Sequence, residues 1–118
     1  MRSLLAAAIL LWAYSTAVAR QPDVDSGNYF LPACKAFASE TFYENALDEG
    51  VCAGVVKAVS QVGKRLDPKW RSCTPGETTL AQRVRVVISF LEAHPERLHE
   101  DFTPLAVEAL RQAWPCGR

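Results

Sequence analysis

Four cysteines constrain the fold of this chain more than any other feature of its sequence. Cys34, Cys52, Cys73 and Cys116 are widely separated, and no two of them form a C-x-x-C pair. Structural zinc sites and thiol-redox motifs use such close pairs, whereas an even number of separated cysteines in a small exported domain is typical of disulfides. The sequence therefore predicts two disulfides, provided that the chain reaches an oxidising compartment.

The N-terminus has the organisation of a secretory signal peptide. Arg2 precedes an uninterrupted apolar run at residues 4–12, and residues 17–19 read Ala-Val-Ala, a small-x-small cleavage site. The apolar run is shorter than the roughly 18 residues that span a bilayer, which argues against a membrane anchor. We expect residues 1–19 to be a cleaved signal peptide. The mature chain is then expected in the periplasm, without membrane association.

The mature part, residues 20–118, has the size and the charge balance of one small domain. It holds 99 of the 118 residues, and because Arg2 is the only charge in the leader, 12 of 13 basic residues and all 13 acidic residues remain. This balance lacks the basic excess that nucleic-acid binding requires. A domain of this size buries only about 60–70% of its unfolded surface. Two cross-links, each contributing roughly 3–4 kcal/mol in the chain-entropy model, would therefore supply much of its stability.

Apolar periodicity predicts an all-α fold built from four helices. Residues 28–37 form the first apolar stretch. Residues 45–66 carry a valine-rich stripe that no turn signal divides into strand-length pieces, so a second helix is favoured over strands. Glycine is costly inside a helix, and this one contains Gly50 and Gly54 one turn apart. They predict either the close approach of another helix or a helix that begins only at Val51.

The C-terminal third of the chain carries the clearest helix-capping signals. Thr79 stands three residues before Gln82, which is the spacing of a capping box, and Pro95 ends the third helix. Thr103 followed by Pro104 predicts the start of a fourth helix, with a hydroxyl N-cap and a proline at the first helical position.

The helical topology favours one pairing of the cysteines. Four cysteines allow three connectivities, and sequence alone does not choose between them. Short connections make consecutive helices antiparallel neighbours, so the end of helix 1 lies beside the start of helix 2, and the start of helix 3 beside the end of helix 4. We therefore predict Cys34–Cys52 and Cys73–Cys116 bridges, in a small disulfide-stapled four-helix domain.

No group of residues has the spacing of a catalytic or metal-binding motif. His94 and His99 lie five positions apart across Pro95, and with Glu96 and Glu100 they lack the H-E-x-x-H order of a zinc helix. A role at the end of the third helix suits these histidines better, because free carbonyl groups and the negative end of the helix dipole lie there. The sequence predicts a non-enzymatic protein without a metal or cofactor.

The loop at residues 64–76 carries the one feature that indicates recognition of a partner. Trp70 stands between Lys69 and Arg71 on a proline-bearing loop, and a tryptophan in such a setting is typical of interface anchors. The alternative is an aromatic ring that folds back over the small core beside Cys73. Lys69, Trp70 and Arg71 are the predicted partner-binding residues.

Five segments of the mature chain form an ordered pattern. They read G-N-Y-F-L-P-A-C (27–34), C-A-G-V-V (52–56), C-T-P-G-E-T-T-L-A-Q (73–82), V-R-V-V-I-S-F-L-E-A-H-P-E-R-L-H (84–99) and A-L-R-Q-A-W-P-C (109–116). In their order, in the cysteine positions and in the closing W-P-C, the chain resembles the Rap/Tai family of type VI secretion immunity proteins. The resemblance covers about residues 27–116.

The resemblance implies an all-α periplasmic protein, often a homodimer, that binds a peptidoglycan-cleaving amidase toxin delivered by a neighbouring cell. Members of the family have no catalytic residues of their own and plug the toxin's Cys–His active-site groove with a loop and the adjacent helix surface. Those segments vary within the family, so no contact residue is carried over. Here the connection at residues 38–44 and the main loop are short and leave less material for a plug.

Two functions of other classes remain open. One is a small periplasmic acid-stress chaperone, in which His94 and His99 would be the only side chains with an ordinary pKa in a useful range. The other is a structural or assembly factor of the cell envelope.

Overall fold

The computed structural model describes residues 23–117, which fold into four α-helices. The helices are α1 (Gly27–Ser39), α2 (Ala46–Val62), α3 (Leu80–Ala93) and α4 (Phe102–Ala113). One turn of 3-10 helix follows α2 at Gly63–Arg65, and another follows α3 at Pro95–Arg97. The predicted all-α four-helix domain is confirmed. The predicted signal peptide lies outside the described residues.

The Cys34–Cys52 disulfide joins α1 to α2 inside the core. Both cysteines are fully buried, and their Cα atoms lie 5.5 Å apart. Tyr29 and Asp48 form a second link between the same helices, because the Tyr29 hydroxyl donates to the Asp48 carboxylate at 2.7 Å. This hydrogen bond raises the pKa of Tyr29, since ionisation would place two negative charges side by side. The two helices are therefore held together by a covalent and a polar contact.

The Cys73–Cys116 disulfide closes the C-terminal half of the domain. Cys73 lies in the connection between α2 and α3, and Cys116 lies in the segment after α4. Their Cα atoms are 4.8 Å apart. Beside this disulfide, the amide of Cys73 donates to the carbonyl oxygen of Trp114 at 2.8 Å. Both bridges have the partners predicted from the antiparallel order of the helices.

The core lies between the inward faces of all four helices. The Phe30 and Phe102 rings bring α1 and α4 together, with their centroids 5.1 Å apart. The other fully buried large side chains are aliphatic and come from α2, α3 and α4: Val56, Val84, Val87, Leu91, Leu105 and Leu110.

The start of α4 corrects the predicted cap. The helix begins at Phe102, with Asp101 at the N-cap position and without a side-chain cap. The amide of Phe102 instead donates to the carbonyl oxygen of Asp25 at 2.8 Å, next to a bridge pairing between Ser26 and Asp101. The prediction that Thr103 caps this helix was wrong, because the backbone of a distant segment satisfies the first free amide.

The two glycines of α2 also differ from expectation. Gly50 and Gly54 both lie within the helix, which begins at Ala46, and both are exposed. A Cβ atom placed at either position would have no atom within 4 Å. Both predicted reasons for these glycines were therefore wrong within residues 23–117: the helix starts before them, and no other helix of that range approaches them.

Arg97 ties the α3–α4 connection to α4. Its guanidinium donates to the carboxylate of Glu100 at 2.7 and 3.0 Å and to that of Glu108 at 2.7 and 3.0 Å. These hydrogen bonds favour the ionised carboxylates and lower the pKa of both glutamates. The connection is thereby held against the helix that follows it.

The caps of α3 and α4 can be compared directly by mutation. Thr79→Ala is expected to lower the free energy of unfolding by about 1 kcal/mol, because the Thr79 hydroxyl accepts a hydrogen bond from the amide of Gln82 at 3.1 Å. Thr103→Ala removes the same atoms from an exposed residue that caps nothing, and the expected change is within about 0.5 kcal/mol. Urea unfolding of the oxidised protein measures both values. Equal losses at the two positions would contradict this assignment of the caps.

The Arg97 cluster predicts a loss of stability in acid. The pKa values of Glu100 and Glu108 in the folded protein lie below the ordinary value of 4.5. Their contribution to the free energy of unfolding is therefore fully present above that pH, and it is lost as the pH falls through the lowered pKa values. Glu108→Gln should flatten the fall in unfolding free energy between about pH 5 and pH 2. Glu96→Gln changes an exposed glutamate of the same connection. The pH dependence of its unfolding free energy should match that of the wild type. Identical curves for Glu108→Gln and the wild type would refute the role of the cluster.

Candidate functional site

The structure places the predicted partner-binding residues on an exposed loop between α2 and Cys73. We call residues 64–72 the basic loop, because they contain four cations, Lys64, Arg65, Lys69 and Arg71, and a single acidic residue, Asp67. All four cations are exposed. The loop therefore forms a positively charged surface at the C-terminal end of α2, although the mature chain as a whole is close to neutral.

Gly63 and Ser72 hold the two ends of the basic loop together. The amide of Ser72 donates to the carbonyl oxygen of Gly63 at 3.2 Å, and both residues are buried. A Cβ atom at Gly63 would collide with the Ser72 hydroxyl and would lie 3.0 Å from the Ser72 carbonyl oxygen. A side chain at position 63 would therefore have to displace Ser72, and the base of the loop is held against the end of α2.

Contacts to α4 and along the loop hold its central part. Arg111 of α4 donates from Nη1 to the carbonyl oxygen of Lys69 at 2.9 Å. Arg71 donates from Nε to the carbonyl oxygen of Leu66 at 3.1 Å. The Lys69 ammonium lies over the Trp70 ring, 5.5 Å from its centroid, where a cation is attracted by the electron density of the ring face.

Trp70 forms one wall of an apolar cleft. The cleft has a volume of about 250 Å³, and its other walls are Leu66 and three residues of α4: Thr103, Pro104 and Val107. Trp70 is 41% exposed. The ring lines the cleft together with residues of α4 and leaves a large part of its surface open. Its role as a contact to a partner stays a prediction.

Two exposed apolar features were not predicted from the sequence. Phe42, in the connection between α1 and α2, is 92% exposed. No local pattern distinguishes Phe42 from an aromatic residue that folds back onto the core. The second feature is the outward side of α2, which carries Leu47, Val51 and Val62 with exposed fractions of 74%, 37% and 44%. The helical spacing of these residues could have indicated it, because the helix is apolar on both its faces.

The two histidines lie in different surroundings. His94 stands at the C-cap of α3, where its Nδ1 atom lies 2.8 Å from the carbonyl oxygen of Phe90, and its ring packs on the Phe90 ring. His99 is exposed. The prediction of a helix-end role is confirmed for His94. Within residues 23–117, no group of three or more His, Cys, Asp or Glu side chains is arranged to hold a metal ion. In the same range, no helix is long and apolar enough to cross a membrane.

The comparison with protein families identifies one relationship. A family model described as Rap1a immunity proteins matches residues 26–116. The matched range includes all four helices and all four cysteines. No curated protein and no solved structure matches the chain.

The clamp at the base of the basic loop can be tested with one methyl group. Gly63→Ala is expected to lower the free energy of unfolding by about 1–3 kcal/mol, because the added Cβ atom overlaps buried Ser72. Gly76→Ala is the matched control, since a Cβ atom there meets nothing within 4 Å. It is expected to be neutral or to stabilise by up to about 1 kcal/mol. Chemical denaturation measures both, and a neutral Gly63→Ala would show that the loop base adapts.

Proposed function

The chain belongs to the Rap1a immunity protein family, and we propose that it protects the periplasm by occluding a peptidoglycan-cleaving amidase toxin delivered by type VI secretion. The observation that carries this proposal is the family match over residues 26–116, which includes every helix of the described domain. Membership implies a non-enzymatic inhibitor that binds a secreted toxin. The proposal goes beyond family membership in three respects: the class of the toxin, its route of delivery and the compartment in which it is bound.

Two features of the chain support a periplasmic location. The first is the predicted signal peptide at residues 1–19. The second is the pair of disulfides, which persist in oxidising compartments such as the periplasm and are rare in the cytosol. A toxin that cleaves peptidoglycan acts in the same compartment, so its inhibitor has to be exported to meet it.

We place the toxin contact on the basic loop and the apolar cleft beside it. Lys69, Trp70 and Arg71 combine a large, partly open aromatic surface with two exposed cations, a composition typical of residues that dominate binding energy. The Gly63–Ser72 contact and the Cys73–Cys116 bridge fix the loop before any partner arrives. A fixed loop loses little conformational entropy on binding, which favours affinity.

The family resemblance also supports a homodimer. A symmetric dimer would present two copies of the basic loop and would therefore bind two toxin molecules.

The first experiment tests the function itself. Mature protein, residues 20–118, is titrated into purified type VI amidase effectors, beginning with any amidase encoded beside its gene, and cleavage of peptidoglycan is measured. We expect cleavage by the cognate toxin to stop at about one chain per toxin. Cells that export the protein should survive toxin sent to the periplasm, whereas cells that make it without residues 1–19 should not. Failure to bind or inhibit any member of such a panel would overturn the amidase proposal.

The second experiment tests where the toxin binds. Trp70→Ala is expected to weaken binding about 30-fold or more, because truncating an interface anchor costs about 2 kcal/mol. Phe42→Ala is the matched control, since it truncates an even more exposed aromatic side chain outside the basic loop and should leave the affinity unchanged. Calorimetry with the cognate toxin measures both. Unchanged affinity in Trp70→Ala would refute the placement, and a loss only in Phe42→Ala would move the contact to the α1–α2 connection.

A further inference from the structure

The two disulfides differ in how far solvent can reach them. Cys34 and Cys52 each have an exposed fraction of 0%, and they lie within α1 and α2. Cys73 and Cys116 are only partly buried, and both lie outside the helices. We call Cys34–Cys52 the inner bridge and Cys73–Cys116 the outer bridge. A reductant reaches the inner bridge only when the core opens, whereas a small local movement exposes the outer one.

The position of Cys116 gives a thiol access to the outer bridge. The last helix of the described residues ends at Ala113, and Cys116 stands between exposed Pro115 and exposed Gly117. Thiol–disulfide exchange requires that an attacking thiolate reach one sulfur atom of the disulfide. Movement of this short segment suffices for that contact, because the segment lies beyond the helix. We therefore expect the outer bridge to react with a thiol before the inner one.

The outer bridge closes a region that contains unpaired polar atoms. Ser72 and Thr74, on either side of Cys73, are buried, and their hydroxyl oxygens have no hydrogen-bond partner within residues 23–117. The same holds for the buried Nε atom of Arg111, the α4 residue that donates to the basic loop from Nη1. Burial of an unpaired polar atom disfavours the closed arrangement, because water would satisfy that atom. The covalent bond offsets this cost, so hydration of these atoms favours release of the loop once the bond is opened.

We propose that the outer bridge is a redox-sensitive switch that holds the basic loop against α4. A dithiol opens this bridge while the inner one stays closed, and the loop then separates from α4 without unfolding of the core. The inner bridge, with both its cysteines inside helices, keeps α1 and α2 together in the partly reduced protein.

The reaction is a thiol–disulfide exchange in which a dithiol is the reductant. One thiolate of the dithiol attacks the Sγ atom of Cys116, the S–S bond breaks, and Cys73 leaves as a thiolate that takes up a proton. The second thiolate of the dithiol attacks the reductant's own sulfur in the mixed disulfide, and Cys116 leaves and is protonated. The dithiol ends as a disulfide and the chain gains two thiols, so two electrons and two protons pass to the chain.

The switch would regulate the site that we assign to the toxin, and this consequence rests on the proposed function. A released loop has to be ordered again when it binds, and the entropy lost in doing so weakens the affinity. In an oxidising compartment the outer bridge stays closed and the loop stays in place. Reducing surroundings would leave a folded protein with a weakened contact surface.

The order of reduction is the first test. Oxidised mature protein is treated with dithiothreitol, samples are alkylated at intervals, and mass spectrometry of the peptides identifies the labelled cysteines. We expect Cys73 and Cys116 to be labelled at least about tenfold faster than Cys34 and Cys52. The helical circular dichroism should persist while only the outer bridge is open. Equal rates, earlier opening of the inner bridge, or loss of the helical signal together with the outer bridge would overturn the proposal.

Hydrogen exchange measures the release of the loop. Amides of residues 64–73 should exchange at least about tenfold faster in the partly reduced wild type and in the Cys73→Ser/Cys116→Ser double variant. Amides of α1 and α2 should keep their protection in both. As a control, dithiothreitol that opens only the outer bridge of the wild type should not accelerate loop exchange in the double variant. Unchanged loop exchange in the partly reduced wild type would overturn the switch, whether or not the double variant folds.

Calorimetry with the cognate toxin separates the switch from the proposed function. Without reductant, the Cys73→Ser/Cys116→Ser variant should bind at least about tenfold more weakly than the oxidised wild type. Unchanged affinity of a variant whose loop is released would overturn the regulation of toxin binding and leave the proposed function standing. Failure of the oxidised wild type to inhibit any toxin would overturn the proposed function, while the labelling and exchange measurements would still decide whether the outer bridge is a switch.

Discussion

The structure depends first on two covalent ties across a small core. Cys34–Cys52 fixes α1 to α2 at the centre of the domain, and Cys73–Cys116, with a sequence separation of 43 residues, encloses α3 and α4. A chain of this length buries limited apolar surface, and a cross-link stabilises the folded state mainly by reducing the entropy of the unfolded chain. The helices consequently need not bury all their apolar residues to remain folded. This allows α2 to keep an apolar surface exposed.

The second tie also determines where the basic loop lies. Cys73 ends the loop and is bonded both to Cys116 and, through its amide, to Trp114, so the loop is anchored to the end of α4. Gly63 and Ser72 fix its base from the side of α2. The cleft lined by Trp70 lies where the loop meets α4. A bridge that stabilises the domain therefore also positions the surface that we assign to toxin binding.

Family membership and surface chemistry account for different parts of the molecule. The family relation establishes an immunity protein and covers the fold as a whole. The basic loop and the outward side of α2 are properties of this chain, defined by its exposed residues and its open glycines. The two surfaces adjoin at the C-terminal end of α2 but differ in character, one rich in cations and one largely apolar.

The amino-acid sequence by itself determined the four helices and the Thr79 cap, because these follow from local periodicity and local hydrogen bonds. The pairing of the cysteines followed from the predicted topology, since short connections impose an antiparallel order on the helices. Only the tertiary structure decided the rest. The start of α4 depends on Asp25, which is distant in sequence, and the open surroundings of Gly50 and Gly54 depend on which side of α2 the other helices cover. The exposure of Phe42 and of the outward side of α2 depends on the same packing. Periodicity shows which residues share a side of a helix, but the neighbours that cover or leave open each side come from the whole chain.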